Sequence, residues 1–178
     1  MESNMEQQSK PEGSNKPRRV KHSFTQSIKG TPKQVFPLLC PVREADWIPG
    51  WTTDWVISNS GVAEQNCIFQ TPPRPGAGGA ASIWVITRHD ADAFKVEMFK
   101  VTPEFTVGKL QISLSALGET GTHATIAYEF TSLGTLGDTF LEGFTAQWYE
   151  KFMQVWEDQM NYYLETGELI PTPDLQAG

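Results

Sequence analysis

Residues 137–164 read GDTFLEGFTAQWYEKFMQVWEDQMNYYL, and this stretch decides the fold. No proline interrupts it. Phe140, Phe144, Trp148, Phe152, Val155, Trp156, Met160 and Tyr163 recur at helical spacing, which predicts one long amphipathic helix with a broad aromatic stripe. Asp138 and Glu142 suit the positive end of its dipole, and Gly167 is a stop signal ahead of Pro171 and Pro173. An apolar stripe this wide needs a surface to cover it.

That surface is written immediately upstream. In 109–115, Leu110, Ile112 and Leu114 alternate with Lys109, Gln111, Ser113 and Ser115; in 125–130, Ile126, Tyr128 and Phe130 alternate with Thr125 and Glu129. Such alternation predicts strands with one buried and one wet face. With these two extended to Phe105–Leu117 and Thr122–Thr131, six strands are expected, the others being Asp54–Asn59, Asn66–Thr71, Ser82–His89 and Phe94–Val101. The turns Ser60-Gly61, 90–92 and 118–121 are too short for parallel crossovers, so neighbouring strands are antiparallel. Strand 82–89 is apolar on both parities, which leaves its inward face open.

At the other end, Val20, Phe24 and Ile28 share a parity with His22 and Gln26, marking a first strand over 20–28. Gly30 breaks it. Thr31 caps and Pro32 begins a short helix reaching Leu39, and a second helical piece spans 42–47 before Pro49-Gly50. Residues 1–19 are polar and poor in large apolar side chains and are expected to be a disordered tail; 167–178 form a C-terminal tail. The folded domain is expected over 20–166.

Composition narrows the function classes. The 178 residues carry 39% hydrophobic and 11% aromatic side chains, enough for one sizeable core. A net charge of -7 provides no electrostatic footprint for nucleic acid, and the basic run 16–21 reads as a solvated junction. Cys40 and Cys67 show no metal-ligand or redox spacing and read as buried thiols. No apolar stretch reaches membrane-spanning length and the polar start Met1-Glu2-Ser3-Asn4 lacks a signal-peptide core, so a cytoplasmic protein, monomeric or homodimeric and without stable membrane insertion, is expected.

Strand, two short helices, six antiparallel strands and one long helix is an α+β order. Through 31–36 (TPKQVF), Trp47 to Trp51 and the aromatic helix 140–163, the chain resembles the START/Bet v 1-like superfamily, in its polyketide cyclase and lipid-transport branch. The resemblance covers about residues 20–166 and implies a helix-grip fold with an apolar cavity between sheet and last helix. It further implies binding of a hydrophobic small molecule such as a lipid, polyketide or aromatic metabolite.

Candidate wall residues are Trp47, Phe69, Trp84, Ile86, Arg88, Val96, Met98, Leu110, Ile112, Tyr128, Phe144, Trp148 and Phe152. A cyclase or dehydratase-like enzyme and a protein-interaction module similar to the co-chaperone branch are the alternatives. The superfamily's iron oxygenases use a His/His/carboxylate site, and His22, His89 and His123 lack that spacing, so no metal and no cofactor are expected.

Other chemistry is limited. Arg43, Glu44 and Asp46 beside Trp47 read as a surface ion-pair group or a polar gate. Arg88 and Glu97 fall on adjacent strands, and Glu97 becomes an acid/base candidate if the pair is buried. The loop 71–80 (TPPRPGAGGA) is followed by a strand rather than a helix, so it reads as a lid over the cavity mouth, not a phosphate loop.

Overall fold

Seven antiparallel strands in the order β1-β7-β6-β5-β4-β3-β2 form one sheet in the computed structural model, which describes residues 18–75 and 78–171. They are β1 Arg19–Lys29, β2 Trp55–Ile57, β3 Ile68–Thr71, β4 Ser82–Asp90, β5 Lys95–Thr102, β6 Thr106–Leu117 and β7 Gly121–Ser132. Most of each proposed tail, 1–17 and 172–178, lies outside the described residues, as do Gly76 and Ala77 of the proposed lid.

The alternation read in β6 and β7 is the burial pattern observed. Leu110, Ile112 and Leu114, with Ala124, Ile126, Tyr128 and Phe130, are buried on one face. On the other face Lys109 pairs with Glu97 at 2.9 Å, and Gln111 donates to the same carboxylate at 2.9 Å. In β4 the inward set is Ser82, Trp84 and Ile86. A register shift between Ile86 and Arg88 then leaves both Thr87 and Arg88 exposed. The added residue reverses the parity, and His89 turns back to lie 5.0 Å from the Phe36 ring.

Between β1 and β2 the chain plugs one end of the sheet. Helix α1 (Pro32–Val35) passes into a 3-10 turn at Phe36–Leu39, because Pro37 cannot donate the next helical hydrogen bond; a second 3-10 turn occupies Arg43–Asp46. Val35, Phe36, Leu38, Leu39 and Trp47 are buried there, and the Trp47 indole donates to the Leu38 carbonyl at 2.9 Å.

The single long helix expected over 137–164 is two helices, α2 (Thr135–Gly143) and α3 (Ala146–Thr166). Phe144, at φ −79° and ψ 66°, leaves the helical region, and Thr145 caps α3 by accepting from the Trp148 amide at 3.2 Å. The signal lay in the sequence as Gly143 followed by Thr145, a stop and an N-cap within three residues. The break frees the Phe144 carbonyl, which accepts from His22 Nε2 at 2.8 Å; a carbonyl cannot donate, so His22 carries its proton on Nε2.

Gln26, also on the inward parity of β1, donates to the Met153 carbonyl at 2.6 Å. The two polar residues that interrupt the apolar face of β1 thus tie the sheet edge to the helical backbone. His22→Ala is expected to cost about 1–2 kcal/mol, since it strands a part-buried carbonyl. Urea unfolding that shows no loss would remove the latch role.

The buried stripe of α3 is Tyr149, Met153 and Met160, with the Tyr149 hydroxyl donating to the Ile126 carbonyl at 2.9 Å. Val155, expected inside, is half exposed. Each four-residue step overshoots a helical turn by about 40°, so the series Trp148, Phe152, Trp156, Met160 winds around α3 from an exposed start to a buried end.

Candidate functional site

The aromatic ladder from Phe140 to Trp156 is one wall of a cavity of about 290 Å³. Phe140 and Phe144 from α2 and the break, then Trp148, Phe152 and Trp156 from α3, present their rings to it. Their centroids follow one another at 5.7, 5.9, 5.1 and 5.4 Å. Trp148 remains 46% exposed and marks the open side. The sheet supplies Trp84, Tyr128 and Phe130 as the opposite wall, with Trp51 at the plug end. Trp84 is held by stacking on Phe69 at 5.4 Å and by donating to Thr71 Oγ1 at 3.1 Å.

Depth over the sheet is set at Gly108. A Cβ there would stand 2.6 Å from the Phe130 ring, so only glycine lets that ring lie flat against β6. Phe130 stacks on Tyr128 at 5.2 Å and 5° in the same layer.

Of the candidate wall residues, the structure brings Trp84, Tyr128, Phe144, Trp148 and Phe152 together around the cavity. Phe69, Ile86, Val96, Met98, Leu110 and Ile112 are buried core that does not line it. Trp47 is buried at the plug, edge-on to Trp156 at 5.8 Å. Arg88 faces outward and pairs with Asp90 at 2.7 Å. Arg88 and Glu97 are register partners on the wet face, but the ion pair of Glu97 is with Lys109, which holds its carboxyl below the usual range. The idea of a buried Glu97 acid is therefore corrected: the β4 bulge and the outward parity keep both residues in solvent.

The group Arg43, Glu44 and Asp46 divides in two. Arg43 and Asp46 pair at the surface, whereas Glu44 turns inward and is 6% exposed. Among the described residues its carboxyl has no side-chain or backbone hydrogen-bond partner. Burial raises its pKa from 4.5 to about 8, opposed by the positive charge of Arg74. A 3-10 turn points successive side chains about 120° apart, which is how neighbours in one four-residue turn part company.

Sequence reading also missed Lys100. It shares the inward parity of β5 with Val96, Met98 and Thr102, and its Nζ stands 5.2 Å from the centre of the Trp84 ring. Burial, with a further push from Arg74, lowers its pKa from 10.5 to about 8. The inward set of β5 was legible; a lysine within it was the available signal. Arg74, from the 71–80 loop, lies over Trp51 at 4.8 Å and with Pro72 and Pro75 borders the cavity. Burial drives the Tyr128 phenol well above its ordinary range, with Glu44 adding to the shift.

No group of three or more metal-ligating side chains gathers among the described residues, and no described helix is long and apolar enough to cross a membrane. No protein-family model matches the sequence, and no curated protein matches it significantly. Solved structures do. Norcoclaurine synthase from Thalictrum flavum superposes with a TM-score of 0.62 at 10% identity, covering 90% of this chain and 99% of that one. The same enzyme in complex with dopamine and hydroxybenzaldehyde gives 0.60 at 10% identity, over 84% and 89%. Ara h 8.0201 gives 0.53 at 14% identity, over 83% and 100%. With seven antiparallel strands gripping the C-terminal helices, this agreement over most of its length shows that the chain has the Bet v 1-like helix-grip fold.

Proposed function

We propose that this protein binds one hydrophobic small molecule with a planar, aromatic or polyketide-like body in the cavity between sheet and helices. The observation that carries the reading is the aromatic ladder 140–156: Phe140 and Phe144 meet Phe130 of the sheet edge-on at 5.2 and 5.1 Å, while Trp148, Phe152 and Trp156 line open space. Rings stacked this way offer area and π-faces at little entropic cost. About 290 Å³ sits at the low end of small-ligand sites, which favours a compact ligand over a two-chain lipid. The fold relative crystallised with dopamine and hydroxybenzaldehyde holds small aromatic molecules, which agrees with that preference.

The test is a thermal-shift series of aromatic and polyketide compounds, with mass spectrometry of the organic extract of the purified protein. Stabilisation that rises with ligand concentration is expected. Gly108→Ala, which forces the Phe130 ring toward the cavity, should lower affinity for the largest compounds about tenfold while sparing the smallest. A panel with no shift and an empty extract sinks the reading.

An acid/base enzyme of the cyclase or dehydratase kind is the second reading, and Tyr128 favours it. Its ring lines the cavity, and among the described residues its hydroxyl has no hydrogen-bond partner. Turnover lost in Tyr128→Phe with ligand affinity kept would move the assignment from binder to catalyst. An interaction module built on a filled interior has less support, because the interior is open.

A further inference from the structure

We propose that the ligand of this cavity carries a carboxylate, seated between Lys100 and Arg74, with its apolar body laid along the aromatic ladder. The inference rests on the binding function and names its chemical class. Its starting point is a missing counter-charge. Arg18, Arg19, Lys29, Arg43, Arg88 and Lys109 each have a carboxylate partner. Lys100 and Arg74, the two cations bordering the cavity, have neither an ion pair nor a side-chain hydrogen bond among the described residues. Lys21, Lys33, Lys95 and Lys151 also lack a carboxylate partner among the described residues, but they stand exposed away from this cavity; Lys100 and Arg74 border a cavity whose described lining holds no carboxylate.

Lys100 is not a stray surface lysine. The register of β5 with β4 and β6 fixes its inward direction, opposite Trp84 and Gly108, so its amine stands over an indole face in apolar surroundings. The carboxyl that could have neutralised this site, Glu44, is held largely protonated at neutral pH by its own burial, and Tyr128 stays a neutral phenol. Of the described side chains that line the cavity, the charged ones are Lys100 and Arg74, and both are cations. An anion entering it relieves the repulsion between Lys100 and Arg74 and gains charge-assisted hydrogen bonds in a low-dielectric setting. The planar Arg74 fork matches two carboxylate oxygens, while Lys100 serves as a point charge deeper in.

Cavity tryptophans 51, 84, 148 and 156 provide the readout. Quenching by 2-naphthylacetate should be compared with quenching by its uncharged primary amide at pH 7, in the wild type, Lys100→Met, Lys100→Arg and Arg74→Ala. The acid is expected to bind about tenfold more tightly than the amide in the wild type. Lys100→Met should erase that preference while amide binding stays, Lys100→Arg should retain it, and Arg74→Ala should reduce it. Equal affinity for acid and amide in the wild type overturns the inference and leaves the cavity reading standing. A preference that survives both Lys100→Met and Arg74→Ala overturns it as well. Binding of neither probe to the wild type counts against the cavity reading itself, and this inference falls with it.

Discussion

Glu44→Gln is expected to leave stability unchanged below about pH 4.5 and to raise it by on the order of 4 kcal/mol at pH 8 and above. The direction follows from proton counting. With a pKa of about 8 in the folded protein and 4.5 as its ordinary value, Glu44 keeps its proton in the fold across a range where the unfolded chain has released it. Raising pH through that window therefore favours unfolding, and the loss is complete above the folded pKa. Glutamine has the same shape and no charge to bury, so the loss disappears.

Other groups titrate in the same range, which is why the difference between variant and wild type is the quantity to measure. His89, whose pKa burial lowers, contributes in the opposite direction below 6.5. Lys100 adds a rise in wild-type stability between about pH 8 and 10.5, because there the unfolded chain binds the proton that the fold has lost. Urea unfolding at half-unit steps from pH 4.5 to 9 decides the matter. A difference that stays flat with pH would mean that Glu44 is solvated.

Gly137→Ala should destabilise the fold by about 3 kcal/mol, at the upper end for overpacking, because what it meets is main chain. A Cβ at Gly137 would stand 2.1 Å from the Phe105 carbonyl oxygen and 2.8 Å from Ser132 Oγ. That oxygen also accepts from the Leu133 amide at 2.9 Å, so it cannot withdraw without breaking the joint between β7 and α2. The helix must retreat instead, carrying Phe140 out of the cavity wall. Gly143→Ala is the control. Nothing lies within 4 Å of its added Cβ, and its cost should fall within about 0.5 kcal/mol of zero. Similar denaturant midpoints for the two variants would show that α2 is free to shift.

Much of the architecture was legible because period is a local property. The alternation in 109–115 and 125–130 and the i+4 aromatics from Phe140 onward each need only their own neighbours in sequence to declare a strand or a helix. Element order then led to the helix-grip arrangement, and five of the candidate wall residues meet at the cavity. Two local signals were present and passed over: the Gly143 to Thr145 break, and Lys100 on the inward parity of β5; His22 and Gln26 were placed on the inward parity of β1 but given no role.

The rest belongs to the tertiary structure. Whether Trp84 or Ile83 faces inward depends on pairing with β3 and β5, since either parity of 82–86 is apolar enough to be buried. Whether Arg88 reaches the cavity depends on a one-residue bulge, which alternation cannot reveal. Glu44 and Asp46 are the same chemistry two positions apart; the packing of a short turn sends one inward to pKa about 8 and leaves the other at the surface with Arg43. Sequence determined which faces are apolar and in what order they come. Burial, and with it the charge of Glu44 and Lys100 and the space between ladder and sheet, was decided only when those faces met, because desolvation depends on every neighbour at once.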